Sequence, residues 1–129
     1  MSSLHVPVIA VVTGEGSSGG ALGICVANKI LMLENAIYSV LSPEGFATIL
    51  WKDSSRAAEA AKVMKLTAKD LKEANVADGV VPESLGGAQD DPESLYKALD
   101  QVLEKTLAYY EGMSRHEIRK DRLSKFRNI

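Results

Sequence analysis

The spacing of apolar residues changes several times along the chain, and each change predicts an element. Residues 8–12, Val-Ile-Ala-Val-Val, form an unbroken, mostly β-branched run, which predicts a buried strand within positions 7–13. A helix-like segment over 19–28 carries Ala21, Leu22, Ile24, Cys25, Val26 and Ala27. It is apolar nearly all round, so burial is expected. Residues 30–33 and 36–41 read as two further strands. Strand, helix, strand argues for parallel pairing through a right-handed crossover.

Polar residues then punctuate a helical region. Ser42, Pro43 and Glu44 have the order of a cap, a first-turn proline and an acid at a helix start, for a helix running to about Trp51. An Ala-rich helix is expected over 56–65, and Thr67 with Asp70 caps another short one. Residues 76–82 return as a short strand closed by Pro82, and 85–88 form a loop. From Asp91 the period becomes strictly helical: Leu95, Ala98, Leu99, Val102, Leu103, Thr106, Leu107 and Tyr110 share one face, and Gly112 ends the segment. Ser114 and Glu117 have capping-box spacing for a last basic helix with Ile118, Leu123 and Phe126 on its apolar side. The segments predict an α/β chain in two parts, 1–112 and the basic helix of 113–129.

The turn after the first strand carries the candidate chemistry. Gly14, Gly16, Gly19, Gly20 and Gly23 fall within ten positions, between a strand and a helix. Glycine lets a ligand approach the backbone, and free N–H groups at a helix start attract negative charge. Three readings compete. Gly14, Gly16 and Gly19 fit G-x-G-x-x-G, with Glu34 where a ribose-binding acid belongs, but too few strands follow for a doubly wound sheet. Residues 16–20 fit G-x-S-x-G with Ser18 as nucleophile, but the required base would be His116, in the basic tail. The third reading is an oxyanion hole of backbone N–H groups at Gly19 and Gly20, which needs no reactive side chain. Against it stands the simpler view that the glycines only permit tight packing.

Composition narrows the setting. The chain has 129 residues, 46% hydrophobic, enough for one core. No apolar run approaches the ~20 residues of a membrane span. The first residues lack a signal peptide's basic and apolar regions. Cys25 is the single cysteine, which suits a reducing cytoplasm, and with His5 and His116 the only histidines no metal site is expected from this chain alone. Neither a membrane nor a nucleic-acid partner is expected. Net charge is −2, unevenly spread: residues 115–129 hold six Lys/Arg and two Asp/Glu, or +4, leaving −6 elsewhere. The basic end reads either as facing an acidic partner or phosphates, or as a solvated helix face.

Residues 6–23, 32–45, 49–53 and 81–88 closely resemble the carboxyltransferase α subunit of bacterial acetyl-CoA carboxylase, in that family's order and spacing. The resemblance implies a partial crotonase fold, with repeated ββα units in a spiral followed by C-terminal helices. It implies transfer of a carboxyl group from carboxybiotin, held on a biotin carboxyl carrier protein, to acetyl-CoA, giving malonyl-CoA for fatty acid biosynthesis. Aligned on the motif, Gly19 and Gly20 are the pair that holds the biotin ureido oxygen. Gly16 and Ser18 of the same loop, and Glu44, which follows a proline as an acid does in related enzymes, are the expected substrate contacts. Ser17 and Ser18 also read as shapers of the turn, and Glu44 as a helix-start acid. Lys52, Arg56 and the basic tail are candidates for CoA phosphates, while Trp51 and Tyr38 read as core or subunit interface. The family works as an α2β2 oligomer and its members are more than twice as long. This chain is therefore expected to need a β subunit and the family's N-terminal half for activity. A non-catalytic assembly fragment is the alternative.

Overall fold

The computed structural model describes residues 1–127; the last two positions of the expected basic segment lie outside the described residues. The described residues form five short strands and six α-helices in the order β1 (Ile9–Val12), β2 (Glu15–Ser17), α1 (Ser18–Ile24), β3 (Lys29–Leu33), β4 (Ile37–Ser39), α2 (Pro43–Trp51), a 3₁₀ turn (Ser54–Arg56), α3 (Ala57–Met64), α4 (Ala68–Glu73), β5 (Gly79–Val81), α5 (Pro92–Tyr110) and α6 (Arg115–Lys125). The strands form two separate parallel sheets. One has the order β1-β3-β5, the other pairs β2 with β4. Each of the first two strands of the larger sheet therefore passes into a strand of the smaller one and then into a helix. These are two successive ββα units, β1-β2-α1 and β3-β4-α2, as the resemblance implied.

β3 sits at the centre. Pairing on both edges places Ala10 opposite Ile30 and Met32 opposite Val80. Ile30, Leu31, Met32 and Leu33 are all buried, as expected for a strand covered on both faces. Ala10, Val12, Cys25, Ala27, Ala36, Tyr38, Ala68, Ala77 and Val81 complete the core, and Leu95, Ala98, Leu99 and Val102 of α5 pack onto it. Helix starts follow the polar punctuation. Ser42, Thr67, Asp91 and Ser114 each accept a bond from a first-turn N–H. At α6 the capping box is complete, with Glu117 accepting in return from Ser114 N at 2.7 Å.

Two elements differ from expectation. β2 is a strand where the sequence reads as loop, because Glu-Gly-Ser has no apolar alternation and its order comes from pairing with β4. α1 ends at Ile24, and none of its residues is buried, although Cys25 and Ala27 just beyond it are core. Leu22 and Ile24 face outward, Ile24 at 65% exposure. The apolar character of α1 is real, but this chain leaves much of it uncovered.

A buried polar network closes the far end. Arg122 of α6 is 0% exposed. It donates to Asn28 Oδ1 through Nε (3.0 Å) and Nη2 (2.7 Å), and to the carbonyls of Met1, Leu4 and Val6. Asn28 in turn accepts from Val8 N and donates to Ile118 O and Asp121 Oδ2. Tyr110 of α5 donates to the same carboxylate oxygen at 2.8 Å. Lys125 donates to Asp78 Oδ2 at 2.6 Å, beside Lys29. The basic helix thus turns Arg122 and Lys125 inward, while Leu123 and Phe126, expected on its apolar side, remain 41% and 43% exposed.

Candidate functional site

The register of the smaller sheet fixes the site. Ser17 pairs with Ser39 at its carboxyl end. α1 begins at the next residue after Ser17, and α2 four residues after Ser39, so both helices start from one edge of that sheet. Ligands of parallel α/β sheets commonly bind in this position. Gly19 and Gly20 lie in the first turn of α1, and Glu44 lies in the first turn of α2.

The start of α1 differs from that of its capped neighbours. Ser17 at its N-cap is extended and accepts no bond from the first turn. Among the described residues, neither Gly19 N–H nor Gly20 N–H donates to a side chain or to a carbonyl of a turn, loop or neighbouring element. The missing side chains leave open space: a Cβ on Gly19 would meet nothing within 4 Å, and one on Gly20 only Ser18 Oγ at 4.0 Å. Ser18 has φ 68°, a left-handed conformation that costs a non-glycine residue energy. It turns the chain from β2 into α1, at whose first turn the two glycines lie.

Gly16 has a different environment. A Cβ there would stand 3.0 Å from Tyr38 Cδ2 and 3.2 Å from Val12 Cγ1, so its backbone is pressed against the core. Glu44 is exposed, and its carbonyl accepts from Thr48 Oγ1 at 2.7 Å. Ser18 and His116 are not brought together. α6 docks through Arg122 on Asn28, beyond the opposite end of α1, and no hydrogen bond joins the two residues. Glu34 is occupied elsewhere: its Oε2 accepts from Glu83 N, while Glu83 Oε2 accepts from Asn35 N. Neither the hydrolase nor the dinucleotide arrangement is assembled.

Arg56, a candidate for phosphate contact, forms two bonds to Glu59 (2.8 and 2.7 Å) and stacks on Trp51 with its guanidinium 4.2 Å from the ring centre. Lys52 ends α2 in a left-handed conformation and is exposed. Tyr38 is a core residue.

Beneath α1, a cleft of about 260 Å³ runs between β1, the glycine loop, Ala21, Ile24 and Cys25. Burial pushes the Cys25 thiol above its ordinary pKa, so it stays protonated there. Thr13 lines both this cleft and a second cavity of about 460 Å³ beyond the carboxyl ends of the larger sheet, walled by Asn35, Glu83 and the Gly86–Gln89 loop. Sequence reasoning assigns nothing to that loop; Gly86-Gly87, both at positive φ, was the available signal.

Known proteins resemble this chain along its length. The curated "Acetyl-coenzyme A carboxylase carboxyl transferase subunit alpha" of Staphylococcus aureus strains bovine RF122 / ET3-1 and MRSA252 is 56% identical over 129 residues. The match covers 100% of this chain and 41% of each relative, so the chain spans about two fifths of their length. Among solved structures, a Pseudomonas malonate decarboxylase hetero-tetramer in complex with coenzyme A superposes with a TM-score of 0.65 at 21% identity, over 91% of this chain and 45% of that one. That likeness concerns the fold, which is a partial crotonase fold. A family model described as acetyl co-enzyme A carboxylase carboxyltransferase-like matches residues 1–129. With its whole length matched and its ββα units and glycine-led helix in place, the chain belongs to the acetyl-CoA carboxylase carboxyltransferase-like family.

Proposed function

We propose that the start of α1 is the biotin side of a carboxyltransferase site. The chain would serve the transfer of a carboxyl group from carboxybiotin on a carrier protein to acetyl-CoA, giving malonyl-CoA, together with a β subunit. The observation that carries this reading is the uncapped glycine pair: two adjacent N–H groups in a first turn with no side-chain cap, on backbone whose missing Cβ positions are open. Biotin, when bound, supplies the ureido group that gives up the carboxyl. The chain's part is electrostatic: Gly19 N–H and Gly20 N–H donate to an oxygen whose negative charge grows as the carboxyl leaves. Donors already in place need no reorganisation at that moment, and the positive end of a helix adds to them. Open space at both missing Cβ positions leaves room for a ring to approach the backbone. Gly16 keeps β2 close to Tyr38 and thereby sets where α1 begins. Ser18 sets the turn, and Glu44, at the neighbouring helix start, borders the same edge as a substrate contact.

A second reading, an assembly fragment without catalysis, draws on the exposed Leu22, Ile24 and Val40 around this edge. One experiment separates the two. Malonyl-CoA-dependent carboxylation of free biocytin is followed for the chain mixed with a cognate β subunit. Gly19→Pro removes one donor in the first turn, where no intrahelical bond is lost. A loss of about 10²-fold or more is expected in a variant with unchanged circular dichroism. Full turnover in the folded variant overturns the oxyanion role. A tight complex without turnover makes the chain an assembly fragment.

A further inference from the structure

A cavity of about 300 Å³ lies at the amino ends of β3 and β5, away from the glycine loop, which leaves the carboxyl end of β1. It gathers three lysines from three elements: Lys29 opens β3, Lys72 lies in the last turn of α4, and Lys125 ends α6. All three meet around Asp78. Lys125, with a side chain only 10% exposed, donates through Nζ to Asp78 Oδ2 at 2.6 Å and to Val76 O at 3.3 Å. Lys72 Nζ donates to Asp78 O at 2.6 Å. Lys29 Nζ stands 3.6 Å from Asp78 Oδ1, beyond hydrogen-bond length, and 5.4 Å from the centre of the Tyr109 ring.

The carboxylates present do not satisfy these cations. Asp78 Oδ2 also accepts from Ile30 N at 2.7 Å, and Oδ2 of Asp121, the other acid of the lining, accepts from Asn28 Nδ2 and the Tyr110 hydroxyl. Three ammonium groups carry nine N–H donors, three each. Bonds to the described residues use three of them, two from Lys125 and one from Lys72. Asn75, left-handed at φ 59°, lines the same space, and among the described residues its carboxamide makes no hydrogen bond. Three positive charges against two negative leave the cavity cationic. Ser124 also lines a neighbouring cavity of about 260 Å³ with His116, Arg119, Lys120 and Arg127, where no carboxylate takes part. Such a field raises the local concentration of small anions.

We propose that the cavity around Lys29, Lys72 and Lys125 binds a free tetrahedral oxyanion of the phosphate class. Donors arriving from three elements need acceptors in several directions. A tetrahedral anion supplies four oxygens, whereas a planar carboxylate supplies two in one plane. The bound anion ties β3, α4 and α6 together, and a ligand of the folded state alone stabilises that state by mass action. The site thereby controls how firmly α6 is docked, apart from the edge where α1 and α2 begin.

The test is a ¹⁵N–¹H titration of the whole chain in which phosphate replaces chloride at constant ionic strength, with coenzyme A titrated separately. Phosphate is expected to shift the amides of Lys29, Lys72, Asn75, Asp78 and Lys125 saturably, and to raise the thermal midpoint in parallel. Lys29→Met and Lys72→Met each remove one ammonium and leave the Lys125 bond in place. Each should weaken binding about ten-fold, as for a hydrogen bond to a charged group. Silent amides overturn the site, and so do shifts that both variants retain at wild-type affinity. Non-saturating shifts shared with the exposed Lys62 and Lys69 also overturn it, since they report only the ion atmosphere. Tighter binding of coenzyme A than of phosphate at these residues does so too, because the cavity would then belong to a substrate.

Discussion

Gly16 and Gly19 stand three positions apart in one motif and lack side chains for unrelated reasons. At Gly16 the core occupies the space, with Tyr38 and Val12 against it; at Gly19 nothing does. Gly16→Ala is therefore expected to lower stability by about 1–3 kcal/mol through overpacking. Gly19→Ala should hold or slightly raise the urea midpoint. Parallel denaturation curves check both, and equal midpoints would remove the distinction. The sequence shows five glycines after a strand and makes no such division, because absence of a side chain looks the same whichever neighbour requires it. The open helix start was legible from the strand-turn-helix order. The strained Ser18 was not, since its φ follows from where β2 ends and α1 starts.

At the scale of elements, capping residues and periodicity located α2, α4, α5 and α6 closely, because each signal acts over a single turn. β2 escaped because its three residues carry no pattern of their own and are ordered by a partner twenty-two positions away. α6 was found, but its inner face was misjudged. Ile118 and Arg122 are one helical turn apart and both buried, so a guanidinium fills a place where an apolar residue is the usual reading. Its charge is accommodated by four oxygen acceptors, on Asn28, Met1, Leu4 and Val6. Arg122→Met keeps length and loses every donor. A loss of about 2–4 kcal/mol is expected from the lost charge-assisted bonds, since the Leu4 and Val6 carbonyls lose this donor while Asn28 Oδ1 keeps only Val8 N. Urea unfolding followed by circular dichroism measures it, and a change below about 1 kcal/mol would show that water replaces the guanidinium readily.

For the whole molecule, two ββα units share one core, but the outer edge of β1 and the outer face of α1 stay open. The apolar surface of α1 reads alike whether one chain covers it or two, which is why its burial was expected and not found. Such surface favours association. Sedimentation velocity of the chain should show mass rising with concentration, and the double variant Leu22→Asp, Ile24→Asp should hold it at monomer mass. A wild-type chain that stays monomeric at high concentration would assign that surface no role in association. The Arg122 clasp has a consequence in time as well as in strength. Its bond to Met1 O joins positions 121 apart, the longest loop any described hydrogen bond closes. Contacts of such separation repay their entropy only after the intervening chain is ordered. During synthesis, residues 1–6 wait for α6 to emerge before this clasp can close. The segment leading into β1 is thus secured last, after the core it borders has formed.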